Sequence, residues 1–117
     1  MSYDIDLIDQ KTQRPAEVAS HEEGGTYALG GLPEASLNVT YNYCKFYRQH
    51  LDAENGIRWL YGKSGRDVEP KLAAAVAALG TERDSDYWAP TPGNAGYALS
   101  ILLGWARQHP DAVFQGD

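Results

Sequence analysis

The sequence predicts an α+β fold: a small antiparallel sheet of about three N-terminal strands packed against about three helices, in one domain spanning 1–117. Three observations predict it. Polar and apolar residues alternate in two N-terminal stretches, Tyr3–Ile8 and Leu37–Tyr41, as in half-buried strands. The links before Tyr41 are too short for the crossovers that parallel strands need. Beyond Tyr41 the apolar spacing changes to three and four, the stripe of amphipathic helices.

In chain order, Ile5 and Leu7 face one way in the first strand and Asp4 and Asp6 the other. Gln10 to Pro15 is polar and turns the chain, and residues 16–25, with His21-Glu22-Glu23-Gly24-Gly25, form a loop. Thr26–Leu29 is a second short strand, Pro33-Glu34 a turn, and Leu37–Tyr41 the third strand. Tyr43, Phe46, Tyr47, His50 and Leu51 mark the first helix, with Asn42 as its cap. Ile57–Tyr61 is a short strand or a single helical turn. The second helix runs from about Val68 to Leu79, capped by Asp67, with Pro70 in its first turn and Gly80 ending it. Thr91 caps the third helix, Pro92 opens it, and His109-Pro110 stops it. Leu99 and Leu103 widen its apolar face, so it should be the most buried helix; Val113 and Phe114 fold the tail back.

Charge and composition narrow the function. The net charge is −6 and the pI about 4.9, which argues against direct binding of a nucleic-acid polymer. Residues 1–36 carry seven acids against two bases and residues 72–117 five against two; only 37–71, with six bases against four acids, favours an anion. Cys44 is the single cysteine, so no internal disulfide forms. No apolar run is long enough to span a membrane, and no basic-then-apolar leader opens the sequence. These features predict a cytoplasmic protein with no membrane partner.

Catalytic and metal motifs are weak. Gly62-Lys63-Ser64 resembles the end of a P-loop, but that loop needs a glycine where Ile57 stands. His21, Glu22 and Glu23 do not make a zinc set with His50, His109 or Cys44, and Asp84 and Asp86 lack the rest of a calcium loop. Cys44 has no base on its own helical face, since His50 is six residues on. No catalytic residue, metal site or cofactor is expected, and hydrolysis of a nucleotide is the weakest functional class.

What remains is a polar, aromatic constellation at element boundaries: Tyr41, Asn42 and Tyr43; Arg58, Tyr61 and Lys63; Tyr87, Trp88, Thr91 and Asn94. Thr91, Gly93 and Asn94 surround backbone amides at a helix start, which favours an anion. Arg58 and Lys63 supply positive charge, and the rings can stack on a base or sugar. The plain alternative is that Thr91 and Asn94 only cap the helix, Trp88 fills the core and Arg58 pairs with Glu54.

These segments also resemble a set of small proteins, without assigned activity, carried by bacteriophages, prophages and other bacterial mobile elements. The likeness rests on Thr40-Tyr41-Asn42-Tyr43, on Gly56-Ile57-Arg58 with Tyr61-Gly62-Lys63, and on Tyr87-Trp88 with Thr91 and Gly93-Asn94-Ala95. It extends to Tyr3-Asp4-Ile5 and Phe114-Gln115-Gly116-Asp117; Cys44 departs from it, serine being expected there. The resemblance implies a phage setting and supplies no mechanism. The expected function is a non-enzymatic binding protein holding a small anionic, nucleotide-like ligand, with counter-defence as one use. The alternative is an acidic protein–protein inhibitor or accessory phage factor whose first third, Glu22 and Glu23 included, meets a basic host protein.

Overall fold

The main sheet is built on its first strand, β1 (Ser2–Asp9), in a computed structural model that describes residues 1–21 and 32–117. Alternation sends Tyr3, Ile5 and Leu7 into the core and leaves Asp4 exposed. β1 pairs with β2 (Arg14–Pro15) at Ile8 and Asp9, and with β5 (Ser36–Thr40) in a register running from Ser2↔Thr40 to Asp6↔Ser36. It also pairs with β6 (Val113–Gly116), from Ile5↔Gly116 to Ile8↔Val113. All three pairings are antiparallel and give a four-stranded sheet. A separate two-stranded ribbon joins β3 (Glu17–His21) to β4 (Leu32–Glu34).

The α+β class is as expected, but three strand assignments change. Residues 16–25 were expected to be loop, yet Glu17–His21 is a strand; Pro33-Glu34 was expected to turn, yet it lies in β4. β4 has three residues and includes a proline, which strands tolerate at edges, so neither partner carries a strong alternating signal. The expected strand at residues 26–29 lies outside the described residues. The tail folds back as anticipated and goes further, pairing with β1 as β6.

Three helices follow. A 3₁₀ turn over Tyr41–Tyr43 leads into α1 (Cys44–His50). The capping oxygen at that turn belongs to Thr40, which accepts from the Asn42 amide at 3.2 Å, so Asn42 is not the cap. Gly56–Leu60 forms a second 3₁₀ segment. α2 (Gly65–Leu79) begins earlier than its apolar stripe suggests. Its cap is Ser64, whose hydroxyl accepts from the Asp67 amide at 3.2 Å, and not Asp67 itself. The extra turn is held because the Gly65 and Arg66 amides donate to the Ala112 and Pro110 carbonyls, a tertiary contact invisible locally. Pro70 therefore falls beyond the first turn.

α3 (Pro92–Gln108) starts and stops where expected, with the Thr91 hydroxyl accepting from the Asn94 amide at 3.1 Å. Its buried face, including Ala98, Leu99, Leu102 and Trp105, packs on α2 and shares one core with Val68, Leu72 and Ala75 of α2 and the sheet residues Ile5, Leu37, Val39 and Phe114. No helix among the described residues is long and apolar enough to cross a membrane.

Candidate functional site

The ten residues of the predicted constellation sort into three contact groups. The first is an arginine set among tyrosines. Arg58 stands on the 3₁₀ segment Gly56–Leu60, where its guanidinium lies 5.0 Å from the Tyr3 ring centroid and 5.5 Å from that of Tyr41. Those rings are themselves tilted together at 4.6 Å. The Arg58 Nη2 donates to the Tyr41 hydroxyl at 3.1 Å. Its Nε donates to the main-chain oxygen of Asp117 at 3.1 Å, and the Tyr61 hydroxyl donates to the same oxygen at 3.2 Å. Arg58 is thus turned toward Asp117 and the rings, with no ion pair to Glu54. Burial, and then the negative charge of Asp117, push the Tyr61 phenol up to about 12, so it stays protonated and able to donate at neutral pH.

Gly116 lets the tail reach this point. A side-chain carbon there would lie 2.5 Å from the Asp4 carbonyl oxygen and 2.5 Å from both the Tyr61 hydroxyl and its ring carbon Cζ. The Asp117 carboxylate completes the attachment by accepting from the Asp4 amide at 3.0 Å.

The second group braces the segment 81–91. Asn94, at the start of α3 and only 6% exposed, spends its whole amide on that loop. Its Oδ1 accepts from the Asp84 amide at 2.9 Å, and its Nδ2 donates to the Asp86 and Ala89 carbonyls, each at 3.0 Å. Asn42 donates to the Trp88 carbonyl at 2.9 Å, and the Tyr43 hydroxyl donates to that of Tyr87. The Tyr87 hydroxyl accepts from the Thr40 amide and donates to the Asn38 carbonyl. Burial is also the first cause of the raised pKa of Tyr43, with Tyr87 second.

These bonds occupy the helix start that the sequence suggested for an anion. Thr91 takes the Asn94 amide, and the Glu82 carbonyl oxygen lies where a side chain at Gly93 would sit, 1.8 Å from its position. Trp88 is neither core nor pocket wall. It is 47% exposed, with its ring edge-on to Tyr87 at 4.9 Å. The cavity bordered by Tyr43, Tyr87, Asn94, Asn38, Tyr97 and Ile101 has a volume of about 40 Å³, room for a water or two; small-molecule pockets take roughly 300 Å³ or more. Of three wider depressions, those of 330 and 560 Å³ near the β1–β2 turn contain none of the ten residues, and one of 460 Å³ at the start of α3 contains only Thr91 among them, beside the acidic side chains of Glu82 and Asp84.

Lys63 forms the third group, away from the role foreseen for it beside Arg58. Its Nζ donates to the Trp59 carbonyl at 2.6 Å and lies 4.6 Å from the indole centroid, with Lys71 at 4.8 Å from the same ring. The neighbouring amides of Gly62, Gly65 and Arg66 all bond to carbonyls of residues 110–114, so they form no phosphate cradle.

Sequence reasoning passed over Tyr3, Gly116 and Asp117. Tyr3 sits on the inward face of β1 and reads as core; the tail pair joins Arg58 only through the β1–β6 pairing. Among the described residues no cluster of three His, Cys, Asp or Glu side chains could hold a metal, and Cys44 is half-buried and unbridged. His109 Nε2 lies 2.9 Å from the Glu17 carbonyl. Glu22 and Glu23 lie outside the described residues. Comparison with known protein families, with curated proteins and with solved structures finds no match.

Proposed function

We propose that this is a non-enzymatic binding protein that holds the charged end of a small anionic ligand at Arg58, between the rings of Tyr3, Tyr41 and Tyr61. One observation carries the reading: Arg58 Nε and the Tyr61 hydroxyl converge on a single acceptor oxygen, that of Asp117. Two donors aimed at one point, with ring faces beside them, are what an oxyanion needs. Tyr41 adds a third donor, because its oxygen accepts from Arg58 and leaves its own proton available. A nucleotide-like ligand would place its phosphate there and its base against the half-buried rings of Tyr41 and Tyr61, since the cavity beside Tyr87 is too small to enclose it. The likeness to phage-borne proteins supports a use in counter-defence, by sequestering a host signalling nucleotide. Calorimetry with a panel of nucleotides tests this: heat that disappears in Arg58→Ala is expected, and a panel without heat at millimolar ligand refutes it.

A second reading is favoured by Trp88. A large exposed indole on a loop held by Asn42 and Asn94, flanked by exposed Glu82, Asp84 and Asp86, suits a basic host protein with an apolar slot. A host protein retained by the wild type, released by high salt and not retained by Trp88→Ala is the expected result.

A further inference from the structure

We infer that the end of β6 is a displaceable internal ligand of the Arg58 site, so that an external oxyanion and residues 116–117 compete for the same donors. The inference rests on the anion-binding reading of Arg58 and adds its regulation. The Asp117 main-chain oxygen occupies the point where Arg58 Nε and Tyr61 Oη converge, at 3.1 and 3.2 Å, so no second oxygen can take those bonds while it stays.

The attachment is local and separable from the core. Phe114 is buried, and its amide and carbonyl bond to Lys63 and Gly62, which anchors the first half of β6. Gln115, Gly116 and Asp117 are exposed. Asp117 is held by the two bonds at its main-chain oxygen and by the Asp4 amide bond to its carboxylate. A tethered group of this kind competes at an effective concentration in the millimolar range or above, so weaker external ligands are excluded until the tail lifts. Occupancy of the site and docking of the tail are then coupled, and by reciprocity a bound ligand must also loosen the tail.

Two variants lift the tail: Asp117→Ala leaves both donors in place, whereas Gly116→Ala also presses on the Tyr61 hydroxyl, so Asp117→Ala is the cleaner of the two. Gly116→Ala forces a carbon to within 2.5 Å of the Asp4 carbonyl and the Tyr61 ring, and Asp117→Ala removes the acceptor for the Asp4 amide. The probes are sodium acetate and inorganic phosphate, titrated into ¹⁵N-labelled protein while the Arg58 Nε–H signal and the hydrogen exchange of the Asp4 amide are followed. In the wild type, either probe should shift the Arg58 signal and speed Asp4 exchange together. In both variants binding should tighten about tenfold, the value of roughly one net hydrogen bond, and Asp4 exchange should be fast from the outset. A probe that binds wild type and both variants alike, or that shifts Arg58 while leaving Asp4 protected, overturns the competition and leaves the anion site standing. Should neither probe move the Arg58 signal in any of the three proteins, the anion site falls with it. Asp117→Ala covers the case in which Gly116→Ala misfolds.

Discussion

Asn94→Ala should cost far more than the loss of a helix cap. The side chain makes three hydrogen bonds of 2.9 to 3.0 Å to the main chain of the loop, at Asp84, Asp86 and Ala89, from a position 6% exposed. At about 1 kcal/mol net for each bond, truncation should destabilise by about 3 kcal/mol. For a domain of this length that lowers the thermal midpoint by about 12 °C. Thr91→Ala, which removes only the cap, should cost about 1 kcal/mol. Asn94→Asp is the sharper control. It is isosteric and keeps the oxygen that accepts from Asp84, but it sets a carboxylate against the Asp86 and Ala89 carbonyls. It should therefore be at least as damaging as Asn94→Ala above pH 6. Urea unfolding followed by circular dichroism measures the losses, and Trp88 emission should shift to the red as its loop opens. A loss of less than about 1 kcal/mol in Asn94→Ala, or a wild-type midpoint in Asn94→Asp, would refute the bracing role.

Other outcomes follow from the same structure. Ser64→Ala should cost about 1 kcal/mol and Asp67→Ala only a few tenths, measured by urea midpoints, because the serine is the cap of α2; the reverse order would restore the boundary read from sequence. Trp88→Ala should leave stability within about 0.5 kcal/mol, since the indole is half out of the fold, while abolishing retention of any protein partner. Stability should fall as pH rises from 10 towards about 12, because folded Tyr61 holds its proton where the unfolded phenol has lost it, and should be flat from that source below pH 10. Tyr61→Phe should remove that part of the alkaline slope, as read from thermal midpoints across the range.

How much could be read in advance depended on how local the cause was. The alternation of Tyr3, Ile5 and Leu7 and the stripe of α3 are printed in adjacent residues, so β1 and α3 were legible with their caps and stops. The start of α2 was not, because carbonyls of residues 110 and 112 hold its first amides. Asn94 was correctly placed at a helix start, but its amide is drawn into a loop five to ten residues away in sequence, which no local pattern encodes. Arg58 was singled out for its charge; its principal partner is 59 residues distant and becomes visible only through strand pairing. Lys63 shows the opposite error, since a neighbouring indole and carbonyl claim it before any distant anion can.

The place of β1 bears on how the chain is made. Its hydrogen-bonding partners come from residues 14–15, 36–40 and 113–116, so β1 is completed only once residues 113–116 have been made. Contacts so far apart in sequence slow folding and leave an unfinished sheet edge during translation. A nascent chain that stops short of β6 would carry Ile5 and Leu7 without the strand that pairs with them.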